Sequence, residues 1–145
     1  MDFELNADQQ AVLEAVESLL DKHAGAARAI ELAASGGYDQ ALEAALDEAG
    51  FGDLATAMGR LEAVLLVAAV SRHGGVVAVG ARALAVPAVL SGAVPGPVSL
   101  MTAEHSGPVR YAAQARTLSM RSRMRSLSVL TVAEDATALQ MIKMI

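Results

Sequence analysis

The side chains with which this chain could do chemistry are few: His23, His73 and His105, the arginine run RSRMR (Arg121–Arg125), and the helical carboxylates Glu14, Glu17, Glu43 and Asp47. The histidines stand far apart in sequence and none forms an HxxxH pair or a comparable His–carboxylate motif, so no metal site is expected. There is no GxSxG, no GxxxxGK[ST] and no GxGxxG, which leaves nucleophilic hydrolysis, P-loop and dinucleotide chemistry without a carrier. Cysteine is absent altogether, excluding disulfides, thiolate metal sites and cysteine catalysis. The carboxylates fall on the polar sides of helical patterns and are read as solvated faces rather than acid–base pairs. In a strand, Arg121, Arg123 and Arg125 would share one face. That face could hold a phosphate through bidentate contacts, or it could be an edge strand protected by charge, which is the favoured reading. Met120, Met124, Met141 and Met144 are read as adaptable core filler.

The elements that must position these groups begin with a capped helix. In MDFELNADQQAVLEAVESLL, Asn6 is followed three residues later by Gln9, the spacing of a capping box. Asp8 adds negative charge to the first turn. Val12, Val16, Leu19 and Leu20 then recur at helical spacing, with Glu14, Glu17, Ser18 and Asp21 turned away. The helix should end near KHAG, with Lys22 and His23 in its last turn and Gly25 as a left-handed cap.

A short helix over Ala26–Ala34 should follow, closed by Gly36 and Gly37. In YDQALEAALDEAGF, Asp39 can cap, Leu42, Ala45, Leu46 and Ala49 face inward, and Gly50 stops the helix so that Phe51 folds back onto Leu46. FGDLATAMG reads as a short connection. A fourth helix is expected over about Arg60–His73 and a fifth over Val76–Leu90, kinked or ended at Pro87. Gly92–Pro97 reads as a linker. Beyond it VSLMTAE, PVRYAAQARTLSM and SLSVLTVAED read as strands, and the tail ATALQMIKMI is placed as a strand as well. The expected class is therefore mostly α (α+β): a helical domain of about five helices over residues 1–94, then a small, incomplete antiparallel β region and diverged tail over 95–145.

Composition narrows the function further. At 145 residues the chain can bury a core without staples. A net charge of -5 and 3% aromatic residues, with no tryptophan, argue against a nucleic-acid surface. Mean hydropathy is high, +0.41, mostly through Leu61–Val94. The apolar runs Ala63–Val70 and Val76–Leu90, the second broken by Arg82, fall short of the ~20 residues a spanning helix needs. A buried helix hairpin is expected there and no membrane span. The acidic N-terminus lacks the basic start of a secretory signal, so a cytoplasmic location is expected.

The succession of these segments resembles the start of an acyl-CoA dehydrogenase. Members open with a segment like MDFELNADQQAVLEAVESLLD, follow with a helix like YDQALEAALDEAGF and an apolar helix ending like VAAVSRHGG, and then cross into a β-domain like VSLMTAEHSGPVRYAAQARTL. The resemblance runs from Met1 to Leu118 and lies in the order of the segments. Two departures stand out. The connection between the third and fourth helices is shortened to LATAMG. The family's flavin-contacting turn, T-E-P-x-x-G-S, is replaced by Thr102-Ala103-Glu104-His105-Ser106-Gly107-Pro108.

The resemblance implies flavin-dependent α,β-dehydrogenation of acyl-CoA thioesters, as in fatty-acid β-oxidation, with FAD as hydride acceptor, a carboxylate as base and electrons passed to an electron-transferring flavoprotein. Thr102 and Gly107 are the positions it matches to cofactor binding. It supplies no catalytic residue here, because the family's Glu comes from a C-terminal helical domain that this sequence does not carry. The expectation is a chain inactive alone that forms a homo- or hetero-oligomer with a longer dehydrogenase chain. The alternative is a non-catalytic small subunit or interaction module pairing with such an enzyme.

Overall fold

A computed structural model describes residues 4–89, 97–102, 111, 117–121, 127–132 and 139–143. The expected capping box forms at the start of α1 (Ala7–His23): Gln9 N–H donates to Asn6 Oδ1 at 2.8 Å, and Asn6 N–H donates back to Gln9 Oε1 at 3.1 Å. The left-handed cap expected at its other end does not. Ala24 ends α1 in an extended conformation, and Gly25 instead opens α2 (Ala26–Ser35), which Gly36 closes at φ 64°. Asp39 caps α3 (Gln40–Glu48) as expected, accepting from Leu42 N–H at 3.1 Å. Gly50, at φ 80°, takes the left-handed conformation that turns the chain after α3. Phe51 is thereby returned to the cluster that holds Leu46.

FGDLATAMG is more ordered than a connection. Phe51–Asp53 makes a 3-10 turn and Leu54–Ala57 a one-turn helix, α4, because Phe51 and Leu54 are both drawn into the core. α5 (Arg60–Arg72) then crosses α1 and buries Ala63, Leu66, Ala69 and Val70. Small and branched residues alternate on that buried side, which lets the two helices approach closely. Leu20, Leu42, Leu66 and Val16 are the largest of the fully buried side chains of the helical core, each at most 1% exposed. Ala49, expected to face inward, is exposed.

The main departure lies between Gly74 and Val89. A continuous helix from Val76 does not form; the chain turns at His73 and Gly74, runs as a strap without regular secondary structure over residues 75–78, and resumes helical structure at Val79. The Gly pair explains the change. Gly74 is left-handed (φ 70°), and a Cβ on Gly75 would lie 2.6 Å from Val70 Cγ1 and 3.0 Å from Leu42 Cδ2. The chain therefore leaves α5 by running close over the core. The helical stretch then contains a π turn over Ala81–Ala85, in which Val86 N–H donates to Ala81 O, five residues back. α6 (Val86–Val89) follows and carries Pro87, which has no N–H to give to the preceding turn.

The class is thus mostly α, with six α-helical segments among the described residues, two of them only one turn long. α1, α3 and α5 supply most of the packed core, joined by Phe51, Leu54 and Ala83. Four short strands follow: β1 (Val98–Thr102), β2 (Thr117–Arg121), β3 (Leu127–Val132) and β4 (Leu139–Lys143), side by side in that order. Instead of being antiparallel throughout, the pairing is mixed. β1 runs parallel to β2, with Val98 opposite Thr117, while β2–β3 and β3–β4 are antiparallel. The expected domain border at 94/95 lies outside the described residues. No described helix is long and apolar enough to cross a membrane.

Candidate functional site

The strap is held by individual polar contacts. Asp39 N–H donates to Val76 O at 3.0 Å, and Ala78 N–H donates to the Tyr38 hydroxyl at 3.2 Å. Tyr38 and Asp39 are both buried at the entrance to α3. Arg28, reaching over from α2, donates to Asp39 Oδ2 at 3.1 Å, and its hydrogen bond to Asp39 raises the guanidinium pKa above its ordinary value. Burial pushes the Tyr38 phenol well above the usual tyrosine range, with the nearby Glu43 carboxylate adding to the effect.

Arg82, in the π turn, anchors the other end of the strap. Its Nη1 meets Asp47 Oδ1 and Oδ2 of α3 at 2.6 and 2.7 Å. Burial opposes the charge of Arg82, but Asp47, Asp53 and Glu43 together hold its pKa above the ordinary arginine value. Asp47 is therefore the strap's anchor on α3. A cavity of about 20 Å³, the space of a single water, lies between Tyr38, Glu43, Asp47, Phe51, Val79 and Arg82.

On the far side of Val77 and Ala78, which line both, is a larger cavity of about 240 Å³. Gly80 and Ala81 bound it from the helical side, Val98 and Ser99 from β1, and Tyr111 completes the wall. Val98 and Ser99 are buried, at 1% and 2% exposure, because the start of β1 packs on the π turn. Tyr111 sits at φ 59°, a left-handed conformation that costs a non-glycine residue ~1–2 kcal/mol. Its ring meets Tyr38 edge-on, with centroids 4.9 Å apart and planes at 72°. Such pairs contribute about 0.5–1.5 kcal/mol beyond their burial, enough to offset much of that cost.

Thr102 is the last residue of β1, three positions past Ser99, at the buried start of the strand that lines the cavity. Gly107 and His105 lie outside the described residues, so the two positions matched to cofactor binding are not seen together. Of the RSRMR run only Arg121 falls within a described strand, at the end of β2 opposite Leu127; the shared face expected of the three arginines lies outside the described residues. His23 is exposed at the end of α1. His73 caps α5, its Nδ1 3.0 Å from Ala69 O and its Nε2 3.4 Å from Asp21 Oδ1. Among the described residues no group of three His, Asp or Glu side chains could hold a metal ion.

Two of the carboxylates read as solvated faces, still well exposed, also pair across elements: Glu17 with Arg72 of α5 at 2.9 Å, and Asp47 with Arg82. The residues that sequence reasoning passed over are Tyr38, Arg28 and Tyr111. Tyr38 directly precedes the cap of α3, which is the one signal that could have marked it; neither Arg28 nor Tyr111 stands in a recognisable motif. Compared with family models, with curated proteins and with solved structures, the chain finds no match.

Proposed function

We propose that this chain is an acyl-CoA dehydrogenase-like protein, comprising the helical N-terminal part and the start of the β part. The observation that carries the reading is the junction at β1. The order of capped α1, α3 closed by Gly50 and Phe51, and apolar α5 closed by Gly74 and Gly75 leads into a strand, VSLMT, whose buried start lines an uncharged cavity and whose end is Thr102. Thr102 is the position the resemblance assigns to the beginning of the flavin-contacting turn.

The described residues do not make a complete site for FAD. A cavity of about 240 Å³ is smaller than the ~300–1,000 Å³ that drug-sized ligands occupy, and a dinucleotide is larger still. The described lining holds no cation for a pyrophosphate and no carboxylate to abstract a proton. The chain alone is therefore assigned no dehydrogenation, and FAD and acyl-CoA would be held together with a longer dehydrogenase chain.

A second reading, a non-catalytic interaction module for such an enzyme, is favoured by Met58, Leu61 and Val64, which are about half exposed along α4–α5. Affinity capture of the chain from its host, with a visible spectrum of the eluate, separates the readings. A yellow complex containing a longer dehydrogenase chain supports the first if flavin content falls when Thr102 is replaced by Val. The second is supported if flavin content does not change. Absence of flavin absorbance, alone and in every captured complex, rejects the dehydrogenase assignment.

A further inference from the structure

We infer that the outer face of α5 pairs with the same face of a second copy of this chain, the two helices running antiparallel. Leu61, Val64, Leu65 and Ala68 stand at i, i+3, i+4 and i+7, the spacing of a single helical stripe. Leu61 and Val64 are 52% and 47% exposed, Ala68 is exposed and Leu65 is half-buried. Met58, just before the helix and 48% exposed, extends the stripe. No carboxylate stands at an exposed position of α5, because its one acidic residue, Glu62, turns aside to accept from Gln9 Nε2 of α1 at 3.0 Å. Two such faces can therefore meet without burying a negative charge.

Charge selects the occupant and its direction. Arg60 is the first residue of α5, is exposed, and pairs with no group among the described residues. A cation there opposes the positive end of the helix dipole, so its place is unfavourable within a single chain. In an antiparallel pair Arg60 comes instead to the C-terminal end of the other α5, the negative end of that dipole. Glu17 and Asp21 of α1 stand at that same end, beside Arg72 and His73, and Arg72 is already paired with Glu17 at 2.9 Å. A parallel pair would bring the two Arg60 side chains together and align the dipoles. With the two-fold axis between Val64 and Leu65, Leu61 of each copy lies over Ala68 of the other, large against small, so the face is its own complement. One helix face is less than the about 800 Å² per partner of a stable complex, and the pairing should be reversible and set by concentration. It does not rest on the dehydrogenase reading, and it gives to a second copy the face that the interaction-module reading gives to an enzyme.

The test is sedimentation equilibrium of the intact chain over a wide range of concentration, in which a dimer should form. Leu61→Ala should weaken it about tenfold or more, since the lost burial is counted in both copies. Ala68→Leu should weaken it too, by setting leucine on leucine. The double variant Leu61→Ala/Ala68→Leu should recover most of the affinity, because large and small have only changed places. Arg60→Glu should also weaken the dimer, although it suits the chain's own helix end and should not lower the Tm of dilute protein, where the monomer prevails. All three positions are exposed, so each variant should keep its helical circular dichroism. A monomer at every concentration, a dimer indifferent to Leu61→Ala or to Arg60→Glu, or a double variant no better than either single one overturns the proposal. So does a monomer that binds a longer dehydrogenase chain through this face, which supports the interaction-module reading instead. A dimer with the expected responses in a protein that never carries flavin keeps the pairing and removes the dehydrogenase reading.

Discussion

The α1–α3–α5 core and the strap that crosses it are held in different ways. In the core, Val16, Leu20, Leu42 and Leu66 are shut away from water at positions dictated by helical periodicity, and neighbouring apolar residues such as Val12, Leu13 and Leu19 share the load. The strap depends on a few polar contacts: the Tyr38 hydroxyl, the backbone hydrogen bonds of Gly74, Gly75 and Val76, and the Arg82 guanidinium on Asp47. The core is consequently robust to exchange among apolar residues of like volume. The strap is sensitive to single atoms, and Val77 and Ala78 line the cavities on either side of it.

Breaking the core should have the largest effect. Leu42→Ala removes a side chain with no exposure and should cost about 2–5 kcal/mol, read as a fall in the denaturant midpoint at unchanged slope. Gly75→Ala tests the close passage of the strap over that same side chain. The added methyl meets Val70 and Leu42, and overpacking of this kind costs about 1–3 kcal/mol. The two changes together should be less than additive, because the first makes room for the second.

Tyr38→Phe sharpens the contrast, since it preserves volume and removes one acceptor. Ala78 N–H then remains buried without its partner, at a cost of about 1–3 kcal/mol. The same variant alters the pH dependence. Burial raises the pKa of Tyr38 in the folded state above the ordinary value of 10.0, so above about pH 10 the unfolded chain ionises first and stability falls as pH rises. The Phe variant should lack that share of the alkaline loss in chemical denaturation at pH 9 and pH 11. The smallest effect belongs to the surface: Asn6→Ala breaks the capping box and should cost about 1 kcal/mol, measurable as a reduced Tm.

The same contrast governs what could be read from the sequence. α1, α3 and α5 were legible because their signals are local: Asn6 with Gln9, Asp39 before an apolar pattern, Gly50 before Phe51. The strap was not, since VVAVGARALAVPAVL is apolar enough for a helix throughout, and only the close passage over Val70 and Leu42 marks where the chain leaves helical structure before it winds up again. Arg82 could be noticed as a break in that apolar run, yet its partner Asp47 lies on another helix and had every mark of a solvated residue. Tyr111 owes its place to Tyr38, across a separation that no periodicity spans. Thr102 was legible as part of the strand VSLMTAE, whereas its match to a flavin turn came from resemblance alone.

The π turn at Ala81–Ala85 accommodates one more residue than an α-helical turn would. Deleting a single alanine there would let ordinary winding resume and would swing Val86–Val89 around the helix axis by roughly a quarter turn or more. Val86, now tucked inward at 3% exposure, would lose its seat. The spare residue thus acts as a spacer that sets the phase between the cation clamped on α3 and the buried side chain of Val86.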